Sequence, residues 1–119
     1  MGSSSTPDAA TALSPRAEAL KKLLASRPSD PFPRYGLAHE YKNAGRLAEA
    51  RDEFSVLLRD HPDYTAGYLH AGNVLLALGE RDEARVTYER GIEVCRRRGD
   101  GHAMSELEGA LSSLDSGAP

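Results

Sequence analysis

The chain has 119 residues, 39% of them apolar and 28% charged, the balance of one ordinary folded domain. Its net charge of -3, from 15 basic and 18 acidic side chains, argues against a dedicated nucleic-acid binder. No apolar run is long enough for a membrane-spanning helix, so neither nucleic acid nor membrane is expected as a partner.

Residues 1–13 begin Met-Gly-Ser-Ser-Ser-Thr-Pro-Asp. They are too polar to bury and are expected to be a disordered tail, as are residues 116–119. They lack the basic and apolar regions of a secretory signal. With the single cysteine, Cys95, this points to a reducing cytoplasm and no intramolecular disulfide. Ser14-Pro15 is an N-cap followed by proline at the first helical position, and predicts a helix over about 15–26. Asp30-Pro31 repeats the signal before a helix over about 32–44, with Tyr35, Leu37, Ala38 and Tyr41 as its apolar stripe. Gly45 supplies the left-handed turn into a helix over about 47–60, whose buried face is Ala50, Phe54, Leu57 and Leu58. Pro62 stops that helix. A helix over about 65–78 follows, then the turn at Gly79, then a helix over about 81–97. Gly99 ends it, and Asp100 caps a last helix over about 101–114 with Met104, Leu107, Leu111 and Leu114 on one face.

The middle of the chain is internally repeated. Gly45-Arg-Leu-Ala-Glu-Ala-Arg51 aligns with Gly79-Glu-Arg-Asp-Glu-Ala-Arg85 at a shift of 34 residues. The same shift carries Pro28 to Pro62, Ala38 to Gly72, Phe54 to Tyr88 and Leu58 to Ile92. Small residues at 38, 50, 72 and 84 mark where two helix axes must approach closely.

These residues resemble the tetratricopeptide repeat family. The first unit reads Arg34-x2-Leu37-Ala38-x2-Tyr41, Ala50-x3-Phe54 and Pro62. The second reads Tyr68-x2-Ala71-Gly72-x2-Leu75 and Ala84-x3-Tyr88, with Arg96 in place of the closing proline. Arg34 replaces an aromatic, Ala71 a leucine and Leu75 a tyrosine. The resemblance implies an all-α fold, with antiparallel helix hairpins stacked into a short right-handed solenoid of about six helices. The expected division is a single domain over 14–115: a half repeat 14–30, repeats 31–64 and 65–98, and a capping helix 100–115.

The resemblance further implies that the first helix of each hairpin lines a concave groove. The groove positions are Phe32, Tyr35, His39, Lys42 and Asn43 in the first unit, and Ala66, Leu69, His70, Asn73 and Leu76 in the second. Their mixture of aromatic, amide and imidazole groups suits an extended or helical peptide. The carboxylate clamp of chaperone-binding relatives needs cations that this chain lacks. Its positions hold Tyr35, His39, His70, Asp100 and Met104. His39 and His70 face each other across the groove in this scheme, a pairing that suits an anion when protonated or a metal when neutral. Only Glu40 or Asn73 offers a third ligand, and no metal or other cofactor is expected.

Arg96-Arg97-Arg98 reads as a run of cations complementing a helix C-terminus; acting on Cys95 beside it, the run would lower the thiol pKa, but no His or acid is spaced to make a nucleophile–base pair and Cys95 reads as a helix residue. Arg46 with Glu49, and Arg85 with Glu89, are spaced as surface ion pairs. No phosphate loop, metal-ligand cluster or catalytic triad spacing is present. The expected function is a non-enzymatic protein–protein interaction scaffold. The alternative is a homodimer formed through an exposed apolar face such as Leu107, Leu111 and Leu114.

Overall fold

Six helices follow one another in a computed structural model that describes residues 13–117. They are α1 (Pro15–Ser26), α2 (Pro31–Asn43), α3 (Leu47–Asp60), α4 (Ala66–Ala77), α5 (Arg81–Arg98) and α6 (Gly101–Ser116). No strand occurs among the described residues. The tails expected at 1–13 and 116–119 lie mostly outside the described residues. Leu13 packs partly buried against the first core cluster, and α6 continues to Ser116.

Two kinds of joint connect the helices. The turn between α2 and α3 and the turn between α4 and α5 are made by Gly45 (φ 78°) and Gly79 (φ 82°). In each, two amides fold back onto the preceding helix. Gly45 N–H donates to Lys42 O at 3.0 Å and Arg46 N–H to Tyr41 O at 2.9 Å. Gly79 and Glu80 do the same to Leu76 and Leu75. This is the Schellman arrangement, which needs a left-handed residue. The returns from α1 to α2 and from α3 to α4 use Arg27 (φ -135°, ψ 67°) and His61 (φ -134°, ψ 71°), each held out of helical geometry by the proline after it. Helix α5 has no such proline, runs a further turn, and ends at Gly99 (φ 73°).

The core forms two clusters. Ala17, Leu20, Leu37, Ala38, Tyr41, Ala50, Phe54 and Leu57 fill the space between α1, α2 and α3, closed on the α4 side by Ala71 and Val74. Tyr68, Ala84, Tyr88, Ile92, Val94, Cys95, Leu107 and Leu114 fill that between α4, α5 and α6. Leu58 packs against both. The small positions do what their spacing implies. A Cβ added at Gly72 would overlap the Tyr88 ring, so the larger aromatic of the second hairpin is matched by the loss of a methyl group opposite it. Gly91 is a further close approach: a Cβ there would lie 2.5 Å from Tyr68 Cβ and 2.9 Å from Leu107 Cδ1. Arg34, which stands where the repeat prefers an aromatic, is instead paired with Glu53 at 2.6 Å across the α2–α3 hairpin.

Two expectations are corrected, and Cys95 lies within α5 as the helix residue it was read to be. Leu107 and Leu114 are buried and Leu111 is partly buried, so the α6 stripe faces the chain's own core and is not an exposed dimer face. Arg85 pairs with Asp115 of α6, not with Glu89, tying the end of the cap to α5. The Cys95 thiol is buried, and burial followed by the charge of Asp100 pushes its pKa up, against the lowering that the neighbouring arginines suggest. Those arginines point elsewhere: Arg96 pairs with Glu93 at 2.6 Å and Arg98 reaches Asp63 at 3.4 Å.

Candidate peptide-binding groove

Helices α2, α4 and α6 are the alternate members of the array, and Tyr35 of α2, Leu69 and His70 of α4 and Ala103, Glu106 and Leu107 of α6 line one cleft of about 250 Å³. Nearer the other end of α4, Asn73 and Leu76 line a second, more open hollow with Ala110 and Leu114. Phe32, at the start of α2, is 58% exposed, the most exposed large apolar side chain described. Lys42 and Asn43 close the last turn of α2, half-buried and exposed respectively, and, like Phe32 and His39, line neither cleft.

The two histidines meet. The rings of His39 and His70 are 4.3 Å apart between centroids and nearly perpendicular, at 70°. Tyr35 lies edge-on to His39 at 4.6 Å, Phe54 stacks on His70 at 6.5 Å, and Tyr64 lies 5.2 Å from Tyr35. His39 Nε2 and His70 Nδ1 are buried without a protein hydrogen-bond partner. Burial is the first cause that lowers both pKa values. The charge of Lys42 adds to it at His39, while Glu40 opposes it. At His70, the charges of His39 and Lys42 add to burial, and its pKa falls to about 4. Both imidazoles are therefore neutral near pH 7, which removes the anion-binding role their spacing suggests.

The ligands that would complete a metal site are engaged elsewhere. Glu40 accepts a hydrogen bond from the Ser14 hydroxyl at 2.8 Å and pairs with Arg16 at 3.2 Å, on the side facing α1. Asn73 Oδ1 accepts from the Tyr88 hydroxyl at 2.5 Å. Among the described residues no group of three or more His, Cys, Asp or Glu side chains is placed to hold a metal ion. Asn73, expected in the groove, thus has its amide oxygen engaged by a core tyrosine. Tyr64 and Glu106 join the site without a signal in the sequence, because their contributions depend on where the α3–α4 return and α6 come to rest.

Two consecutive helix hairpins, flanked by single helices and carrying equivalent glycines 34 residues apart, define a helical repeat protein. No family model matches the chain. A TPR repeat-containing protein of Pseudomonas aeruginosa is 31% identical over 98 residues, spanning 82% of this chain and 93% of that protein. A tetratricopeptide repeat domain protein of Salinibacter ruber superposes with a TM-score of 0.71 in its crystal structure, at 36% identity over 75% of this chain and 100% of that one. A protein of Bordetella parapertussis solved in solution superposes with a TM-score of 0.73, at 26% identity over 83% of this chain and 86% of that one. The chain belongs to the tetratricopeptide repeat family. Repeats of this class mediate protein–protein interaction and are generally scaffolds rather than enzymes. Among the described residues no helix is long and apolar enough to cross a membrane.

Proposed function

We propose that the protein is a non-enzymatic scaffold that holds a peptide segment or a helix of a partner protein along the face made by α2, α4 and α6. The exposed Phe32 carries this reading most directly. Desolvating so much apolar surface favours a partner, and the residue sits on the same helix as the Tyr35 wall of the cleft. Phe32, Tyr35, His39, Lys42, Asn43, Leu69, His70, Asn73 and Leu76 are the proposed contact set, with His70 at the floor of the cleft and His39 packed behind it against Tyr35 and His70. The reading needs no cofactor and suits a cytoplasmic protein.

A photo-crosslinking residue placed at position 32, compared with one at the exposed position 89 on α5, tests it. A partner captured from position 32, and lost in Leu69→Ala, is the expected result. Equal capture from both positions would place the contact surface elsewhere. Sedimentation at two concentrations tests the homodimer reading, and a concentration-dependent mass is the result that would favour it.

A further inference from the structure

The cleft between α2, α4 and α6 has a definite charge. Asp100 and Glu106 line it, and no lysine or arginine does so among the described residues. Helices α4 and α6 both begin beside it, and helix N-termini ordinarily attract an anion. That place is already filled from within the chain. Asp100 Oδ1 accepts from Ala103 N–H at 3.1 Å, and Oδ2 accepts from the Thr65 hydroxyl at 2.7 Å. Glu106 is the carboxylate left over. Its nearest cation-forming neighbour is His102, 3.8 Å away and beyond hydrogen-bond distance, and half of its side chain is exposed. Across from it stands Tyr35, whose phenol pKa is raised by burial and then by the charges of Tyr64 and Glu106. The volume of about 250 Å³ is below that of a site for a cofactor-sized ligand, ~300–1,000 Å³, and suits one long side chain.

We infer that this cleft takes a single lysine or arginine side chain of the partner, its alkyl stem along Tyr35 and Leu69 and its cationic head at Glu106. Long basic side chains lay their methylenes on apolar surface and keep the charge at the rim, and a tyrosine face adds a cation–π contribution. The polarity is opposite to that of a carboxylate clamp, since Asp100 stands where a clamp would carry a cation. This inference rests on the groove reading above.

A displayed library of random heptapeptides, selected on the full chain, tests both and separates them. Groove binders are those weakened by Phe32→Ala and by Leu69→Ala, with the fold of each variant checked by circular dichroism. They are expected to share a lysine or arginine at one position. Changing that residue to glutamine should weaken binding roughly tenfold, the combined scale of one exposed ion pair and one cation–π contact, and Glu106→Gln in the protein, which removes the ion pair alone, about threefold. Groove binders without a shared basic residue, or with affinity unmoved by Glu106→Gln, would overturn the cationic pocket and leave the groove reading standing. Selected peptides indifferent to both groove substitutions, or no selected peptides, would overturn the two together.

Discussion

His70 shows how one side chain can be both floor and weak point. Its ring is packed between His39 and Phe54, and its pKa is lowered to about 4, chiefly by burial. In the unfolded chain it titrates near the ordinary ~6.5. Between those values the unfolded state binds a proton that the folded state refuses, so stability falls as pH drops from about 6.5 to about 4. His39, lowered in the same direction, adds to the effect. After allowance for solvent screening, the loss should be on the order of 2 kcal/mol. Urea unfolding at pH 7 and pH 4.5 measures it, and His70→Phe should flatten the dependence across that window. An unchanged slope would mean that the ring is not excluded from water. The glycines give a second contrast at this scale. Gly45 has open space around its missing Cβ but a φ of 78°, whereas Gly72 is helical and lies against Tyr88. Gly45→Ala should therefore cost about 1 kcal/mol through the backbone alone. Gly72→Ala should cost about 1–3 kcal/mol through overpacking, and Tyr88→Phe should not relieve it, because the overlap is with the ring carbons. Chemical denaturation of the three variants separates the two mechanisms.

The helices themselves were legible from the sequence because their ends carry strong local signals. Ser14, Asp30 and Asp100 cap as their positions imply, each accepting from an amide two or three residues on. Gly45, Gly79 and Gly99 turn left-handed where the apolar period breaks. The remainder was hidden because it depends on partners distant in sequence. Nothing near Arg34 announces Glu53, nothing near Arg85 announces Asp115, and the need for glycine at position 91 arises only when Tyr68 and Leu107 converge on it. The groove shows the same division. The family resemblance implies that Tyr35, His39, Leu69 and His70 share one side, but the engagement of Asn73 by Tyr88 and the arrival of Glu106 opposite Tyr35 follow from packing. Asp100 joins the two levels. It is at once the residue after the Gly99 turn, with its N–H donating to Cys95 O at 2.9 Å, the cap of α6, and the acceptor of the Thr65 hydroxyl. Asp100→Ala should therefore cost more than a simple cap, toward the upper part of the ~0.5–2 kcal/mol range. Thr65→Ala combined with it should be less than additive in a double-mutant cycle. Full additivity would mean that the two side chains act independently.

At the scale of the whole molecule the second hairpin has an apolar face that needs a cover. A hairpin of this kind cannot bury its own apolar face, and the last unit must be covered or self-associate. Helix α6 supplies the cover. Its inner face brings Leu107 and Leu114, both buried, onto the α4–α5 cluster, with Ala103, Met104, Ala110 and Leu111 packed around them. Its outer positions, Ser105, Glu108, Gly109, Ser112 and Asp115, are exposed and carry no large apolar group. The two jobs of α6 are thereby joined, since the residues that seal the end also build one wall of the groove. A chain truncated after Gly99 should lose both at once. Ile92 and the surface around Gly91, where Leu107 now sits, would be left uncovered. Removing several buried leucine-sized contacts corresponds to several kcal/mol, on the order of the whole stability of a domain this small. The truncated chain should therefore melt well below the full chain, bind a hydrophobic dye and sediment as larger species as its concentration rises. Leu107→Ala in the full chain should move the melt in the same direction, by about 2–5 kcal/mol, without generating the larger species, because the polar outer face of α6 would still close the array. A truncated chain that remained monomeric with an unchanged melt would show that α5 ends the fold by itself and that α6 serves only the groove.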